Sequence, residues 1–168
     1  MRRHGIAALF AAGCTLFVMP GAAGAAASSD EAWNEIVEGT LPQVGAARQI
    51  VPLRYRTFTL DRTQLDVLLA VAPMEGARRA ADSDAVLELP LPDGSFGAFR
   101  IVESPIMEPA LAAKFPQIRT WLGQGIDDPT ATARFDLTPK GFHAQVIGRD
   151  GTSYVDPYRP GDVEHYIA

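Results

Sequence analysis

The sequence predicts an α+β fold, with an antiparallel β-sheet meander of five or more strands and two or three short helices. Four segments after residue 117 alternate apolar and polar side chains and are separated by turn residues, which is typical of strands that bury one face and expose the other. Before them, Asp61 begins a segment whose apolar residues recur at helical spacing. Together the two patterns favour a single domain that contains both helices and an antiparallel sheet.

Residues 1–27 have the three parts of a secretory signal peptide. Two arginines follow the initiating methionine, residues 6–19 are apolar but too short to span a bilayer comfortably, and Ala27 ends a small-x-small motif at which we expect cleavage. The remaining residues, 28–168, have a length that suits one domain. We therefore predict a secreted or periplasmic protein.

The first half of the mature domain is predicted to contain two helices and one strand. Ser28 and Glu31 fit a capping box ahead of a short helix. Residues 53–60 alternate as a strand does. Asp61 then caps the second helix, which carries a clear apolar stripe and ends at Pro73.

The second half is predicted to be rich in strands. Strands are expected at residues 86–91, 96–103, 118–125, 131–137, 142–147 and 152–156, and a short helix at residues 109–116. Residues 92–95 form a strong turn pattern between the first two strands. The apolar positions of these elements predict a core that contains Phe58, Leu65, Leu68, Leu89, Phe99, Ile101, Phe135 and Phe142.

The composition excludes several classes of function. Cleavage removes the two arginines of the leader and takes the formal charge from −5 to −7, and an acidic domain disfavours binding to nucleic acid or to an anionic membrane. The single cysteine, Cys14, lies in the leader, so the mature chain forms neither a disulfide framework nor a thiolate zinc site. Lipidation of Cys14 is the alternative to cleavage at Ala27, although the apolar stretch before it is very short.

The catalytic and metal-ligating residue types form no recognisable pattern, and we predict neither enzyme activity nor a cofactor. His143 and His165 are the histidines outside the leader, and they lack the paired spacing of a zinc motif. Alternation places His143 on the same face as Gln145, and its ordinary interpretation is a solvent-facing or hydrogen-bonded strand histidine. Ser95 belongs to a hairpin turn rather than to a nucleophile elbow, because Asp93 stands where the elbow requires glycine.

Two further features have both a functional and an ordinary interpretation. Arg78 and Arg79 form a candidate processing site for a trypsin-like protease, or are solvated residues of a predicted loop. Five aspartates have the oxygen ligands that calcium prefers but lack the spacing of a calcium loop, which favours ordinary turn residues. These are Asp127, Asp128, Asp136, Asp150 and Asp156.

Four strings in the second half carry a resemblance to a known family. They read ESPIMEP, FPQIRTW, GQGIDDPTAT and RFDLTPKGFH, at residues 103–109, 115–121, 123–132 and 134–143. They resemble the N-terminal pro-region of bacterial secreted reprolysin-like zinc metalloproteases, and the resemblance covers roughly residues 53–167. In such precursors the pro-region precedes a catalytic domain with the motif H-E-x-x-H-x-x-G-x-x-H, which this sequence does not contain.

The resemblance implies a module that accompanies an enzyme. It would assist the folding of a zinc metalloprotease catalytic domain, inhibit it, or both, in the same precursor or in trans. Residues 163–168 resemble mid-domain sequence of that family, which is compatible with a domain truncated at its C-terminus. The alternatives are a free-standing secreted β-rich binding module without a protease partner and an unrecognised hydrolase. An in-frame H-E-x-x-H motif downstream in the genome would favour the pro-region over the two alternatives.

Overall fold

The alternating segments of the sequence form one antiparallel sheet of nine strands, curled into a half-barrel. The structure, a computed structural model, describes residues 32–41 and 45–168. Across the sheet the strand order is β1-β2-β9-β8-β7-β6-β5-β4-β3, so β3 to β9 are neighbours in chain order and β1 and β2 extend the sheet beyond β9. The strands are β1 (Trp33–Ile36), β2 (Thr57–Leu60), β3 (Val86–Pro90), β4 (Phe96–Glu103), β5 (Arg119–Gly125), β6 (Thr132–Thr138), β7 (Gly141–Gly148), β8 (Gly151–Pro157) and β9 (His165–Ile167).

The predicted α+β class is wrong, because the chain is mostly β with about 14% helix. In the described part of the chain, the helices are α1 (Arg62–Ala70), the single turn α2 (Pro109–Ala112) and two short 3-10 turns. The helix predicted to begin at Ser28 does not continue into the described residues, because Trp33–Ile36 pairs with β2. The Trp33 side chain is only 2% exposed, and this tertiary burial outweighs a local helix pattern.

Helix α1 forms where the sequence predicts it. Oδ1 of its N-cap residue, Asp61, accepts hydrogen bonds from the backbone N–H groups of Thr63 and Gln64, at 2.9 and 3.1 Å. Its buried stripe belongs to the main hydrophobic core. Helix α1 therefore fills part of the space inside the curled sheet.

The core is the one that the periodicity predicts, with additional large aromatic residues. All eight predicted core residues are at most 8% exposed. The rings of Phe135 and Trp121 are stacked with centroids 5.6 Å apart, and Phe142 lies 5.6 Å from Phe135 on its other side. Trp33 and Tyr166, which the prediction omitted, pack edge-on at 5.4 Å. The inner face of the sheet and α1 thus share one aromatic-rich core.

Two tight turns fix the register of the central strands. Thr138 pairs with Gly141 around a two-residue loop, and Gly148 pairs with Gly151 around another. Gly141 and Gly151 have φ values of +121° and +118°, a region that favours glycine. In antiparallel strands a fixed turn also fixes which outward side chains are neighbours, and these neighbours build the candidate site.

Candidate functional site

A row of polar side chains crosses the outer face of the sheet, which is the face turned away from the core. The register pairs Asp136 of β6 with Thr120 of β5 on one side and with His143 of β7 on the other. Asp156 of β8 lies beside His143 and continues the row. Neighbouring strands lie about 4.8 Å apart, so these four side chains line up across the sheet.

A second row lies one outward position further along the same strands, about 7 Å away. Arg134 pairs with Leu122 and with Gln145, and Gln145 pairs with Tyr154. Gln145 Nε2 donates a hydrogen bond of 3.2 Å to the Tyr154 hydroxyl. Arg134 Nη1 donates a hydrogen bond of 3.2 Å to Ser104 Oγ, at the start of the β4–β5 connection. The second row is therefore tied to that connection.

The two rows form the floor of an open groove. Its central cavity of about 250 Å³ is bordered by Ile106. Two further hollows, of about 480 and 280 Å³, share Asp156 with it and extend it to Ile50. We call these three adjoining hollows together the outer-face groove. Its length and open form suit an extended polypeptide better than an enclosed small molecule.

The charge of the groove floor depends on pH. His143 Nδ1 lies 3.1 Å from Asp136 Oδ1, and this hydrogen bond raises the pKa of His143 against the opposing effect of burial. Lys140, in the β6–β7 turn, lowers the pKa of His143 with a smaller effect. Burial raises the pKa of Asp156, and the adjacent His143 partly opposes that rise. Acidification therefore removes negative charge from the floor.

One side of the groove is bordered by the 104–118 loop, which connects β4 to β5. Its apolar side chains Ile106, Leu111 and Phe115 are 71%, 45% and 43% exposed. The loop is anchored at Ser104, which is 3% exposed and donates its backbone N–H to the Thr120 carbonyl at 2.8 Å. Three large apolar side chains thus face solvent on a loop with a fixed base.

The other side is bordered by residues 49–53, which we call the 49–53 segment. Ile50 and Val51 are 48% and 67% exposed, and Leu53 is fully exposed. Ile50 and Val51 line the hollows that extend the groove past Asp156. The groove therefore has a polar floor between two exposed apolar borders.

A cation held between two aromatic rings fixes the start of the 49–53 segment. The guanidinium of Arg48 lies 4.7 Å from the ring centre of Tyr55 and 4.5 Å from that of Tyr158. Both tyrosine hydroxyls donate hydrogen bonds of 2.8 Å to Glu38, and these bonds lower the pKa of the Glu38 carboxyl. Arg48 also donates to Glu38 at 2.9 Å. The cluster joins the segment to the end of β8.

The metal-ligating and nucleophilic residue types are dispersed in the described part of the chain. Among residues 32–41 and 45–168, no three His, Cys, Asp or Glu side chains are grouped so that they could hold a metal ion. His165 lies outside the groove, with Nδ1 3.1 Å from the Asp162 carboxylate oxygens. Ser95 Oγ donates to Asp93 Oδ1 at 2.6 Å inside the β3–β4 turn, so the hairpin interpretation of this serine is confirmed. The groove offers hydrogen bonds, charge and apolar contact.

Of the residues predicted for processing, Arg78 and Arg79 line none of the hollows of the groove. Ala27 lies outside the described residues, and the division of the chain there stays a prediction. Arg78 and Arg79 lie at the surface, paired with Asp84 at 2.7 Å and Asp82 at 2.8 Å. The Arg79 side chain is 81% exposed. Cleavage at this pair also stays a prediction.

The sequence predicts part of the groove floor but not which residues of adjacent strands lie beside each other. Alternation places Arg134 with Asp136 on one face, and His143 with Gln145. It does not give the register between strands, so the sequence does not place Asp156 beside His143. The two-residue turns after β6 and β7 are the pattern that predicts this register.

Comparison with known proteins found no match among family models, curated proteins or solved structures. The resemblance to metalloprotease pro-regions therefore rests on the sequence strings and stays a prediction. In the described part of the chain, no helix has the length and apolar character needed to span a membrane.

Proposed function

We propose that this chain is a secreted protein-binding module that serves as the pro-region of a reprolysin-like zinc metalloprotease, assisting the folding of the catalytic domain and covering its cleft. One observation carries the proposal. The outer-face groove lies between two exposed apolar borders, and one border, the 104–118 loop, lies within residues 53–167, the stretch that resembles such pro-regions. The chain would bind this partner in the same precursor or in trans.

The exposed apolar side chains favour a protein partner. Ile106, Val51 and Leu53 are each at least two-thirds exposed. Apolar residues grouped beside a groove are typical of surfaces that a partner covers. Each square ångström of apolar surface that the partner buries contributes about 25 cal/mol, and the polar floor between the borders supplies the directional contacts that set orientation.

The 104–118 loop is suited to enter a cleft because it is already ordered. Glu108 caps α2 by accepting a hydrogen bond from the Leu111 N–H at 3.2 Å, and Pro109 stands at the first helical position. The Ile118 N–H donates to the Phe115 carbonyl at 3.0 Å. A loop with a fixed conformation loses little entropy on binding.

The arrangement of side chains favours steric cover of the protease cleft. The mature chain has no cysteine to ligate the catalytic zinc if cleavage occurs at Ala27. The exposed tips Ile106 and Phe115 are on the loop, whereas His143 and its carboxylate neighbours lie on the groove floor. We therefore infer that the loop enters the protease cleft and that the groove binds the protease surface around the cleft.

The test is inhibition of a mature bacterial reprolysin-like metalloprotease by the purified chain, measured with a fluorogenic peptide substrate. The triple variant Ile106→Ser, Leu111→Ser, Phe115→Ser removes the loop tips. A matched control, Val67→Ser, Val71→Ser, Val163→Ser, removes three side chains of similar exposure elsewhere, at 53%, 67% and 43%. The yield of active protease on refolding with each chain is measured in parallel.

We expect the wild-type chain and the control to inhibit the protease or to raise its refolding yield, and the loop variant to lose at least about tenfold in potency. Equal potency of the two triple variants would show that the loop is not part of the interface. If the wild-type chain neither inhibits nor assists refolding, the pro-region role is wrong, and the free-standing secreted binding module is the function to pursue.

A further inference from the structure

A second cavity, of about 260 Å³, opens at one end of the half-barrel. The β3–β4, β5–β6 and β7–β8 turns meet around it. Its floor is the hydrophobic core itself, where Phe99, Ala131 and Val146 are buried, and Leu91 and Phe96 stand at its side. This cavity is on the inner side of the sheet and is separate from the outer-face groove.

Four of the residues that line the cavity are glycines, at positions 97, 125, 148 and 151, and their lack of side chains leaves the end of the half-barrel unfilled. A Cβ at Gly125 would lie 2.3 Å from the Asp128 carbonyl oxygen, and one at Gly97 would lie 3.0 Å from the Phe99 ring. Gly125 therefore requires glycine, and a side chain at position 97 would force the Phe99 ring to shift. The result is an open space with an apolar floor, bounded by three turns.

The rim of the cavity is acidic. Asp127, Asp128 and Asp150 stand there with a single cation, Arg149. Arg149 Nη2 lies 4.0 Å from Asp128 Oδ1. Across residues 32–41 and 45–168, Asp127 and Asp150 take part in no ion pair within 4.0 Å. Two carboxylates at the mouth are thus left without a cationic partner in the described residues.

We propose that this cavity binds an amphipathic organic cation, with an apolar body on the core floor and an ammonium or guanidinium group at the acidic rim. Charge complementarity between the rim and the cation selects this class of ligand. A cavity of about 150 Å³ lined by apolar side chains is enough for a benzene ring, so this space holds a ring and a short arm. Phe96, 36% exposed, offers a ring face near the charge.

The proposal is tested with protonated 2-phenylethylamine as the probe, followed by backbone NMR shifts of the full chain. The matched probes 2-phenylethanol and 3-phenylpropionate have similar apolar bodies and no positive charge. The site predicts shifts at the three turns and binding of the amine at least about tenfold tighter than that of either matched probe. Equal binding of the three probes, or no binding of the amine, would overturn it.

Two variants separate the apolar and charged parts of the site. A Cβ at Gly148 would lie at an ordinary contact distance of 3.5 Å from Ala131, so Gly148→Leu can fill the cavity. This change should weaken binding of the amine at least about tenfold. The double variant Asp127→Asn, Asp150→Asn should bind the amine only as tightly as the alcohol. The control double variant Asp84→Asn, Glu164→Gln should keep the wild-type affinity for the amine. Unchanged amine affinity in the Asp127/Asp150 pair contradicts the proposal, even if Gly148→Leu fails to fold.

Discussion

Replacing Phe135 with alanine tests the register that builds the outer-face groove. Phe135 is 3% exposed and lies between the rings of Trp121 and Phe142, each 5.6 Å away. Its chain neighbours Arg134 and Asp136 therefore point to the opposite face, into the groove. The stability of the core and the composition of the site depend on the same alternation.

The expected loss of stability is large. Phenylalanine-to-alanine changes in a core cost about 3–5 kcal/mol, and the two ring contacts add to the transfer term. We expect about 4–5 kcal/mol for this site. In a domain of this size each kcal/mol lowers the Tm by about 3–4 °C, so the variant should melt about 12–20 °C below the wild type.

The assay is urea unfolding followed by tryptophan fluorescence, with Phe115→Ala as the control. Phe115 is 43% exposed, and its replacement should cost less than about 1 kcal/mol. Phe135→Leu, expected to cost about 1–2 kcal/mol, keeps the comparison available if the alanine variant does not fold. If Phe135→Ala costs no more than Phe115→Ala, Phe135 is not in the core, and a one-residue slip would turn Arg134 and Asp136 away from the groove.

Three further predictions concern charge. Asp136→Asn should lower the His143 pKa in an NMR titration. The raised His143 pKa stabilises the fold below the unfolded pKa of 6.5, and this stabilisation is lost as pH rises through the folded pKa. The variant should therefore lose more stability at about pH 5.5 than at about pH 8.5. A larger loss at about pH 8.5 would contradict this prediction. Asp156→Asn should raise stability near pH 7 and change little below the unfolded pKa of 3.8, because burial disfavours the Asp156 carboxylate; a loss of stability at pH 7 would refute it. Arg48→Lys should speed hydrogen exchange in residues 45–56, because an ammonium cannot stack between two rings as a guanidinium does. Unchanged exchange would show that the stacking of Arg48 between Tyr55 and Tyr158 does not hold this segment in place.

The longer elements could be predicted from the sequence because each repeats its period several times. Helix α1 begins after Asp61 as expected, and the predicted strands from residue 86 to residue 156 agree with β3 to β8 within one or two residues at each end. A strand of seven or eight residues shows three or four inward positions, which is enough to define its face.

The short elements could not be predicted because tertiary contacts decide them. Strands β1 and β9 have four and three residues, too few to establish a period. Tyr166 of β9 is buried because its hydroxyl accepts the Phe142 N–H at 3.1 Å and its ring packs on Trp33. The apolar borders of the groove were missed for a related reason. Ile106 and Val51 lie in irregular segments, where only the folded structure shows that they are exposed beside the same groove.

Hydrogen–deuterium exchange of the chain, alone and with the catalytic domain of a reprolysin-like metalloprotease, tests the central claim most directly. We expect a complex in which exchange slows in the 104–118 loop and the 49–53 segment, the two borders of the outer-face groove. We also expect unchanged exchange in α1, whose exposed side carries Val67 and Val71. Slower exchange confined to α1 or to the turns around the end cavity, or the absence of a complex, would contradict the account.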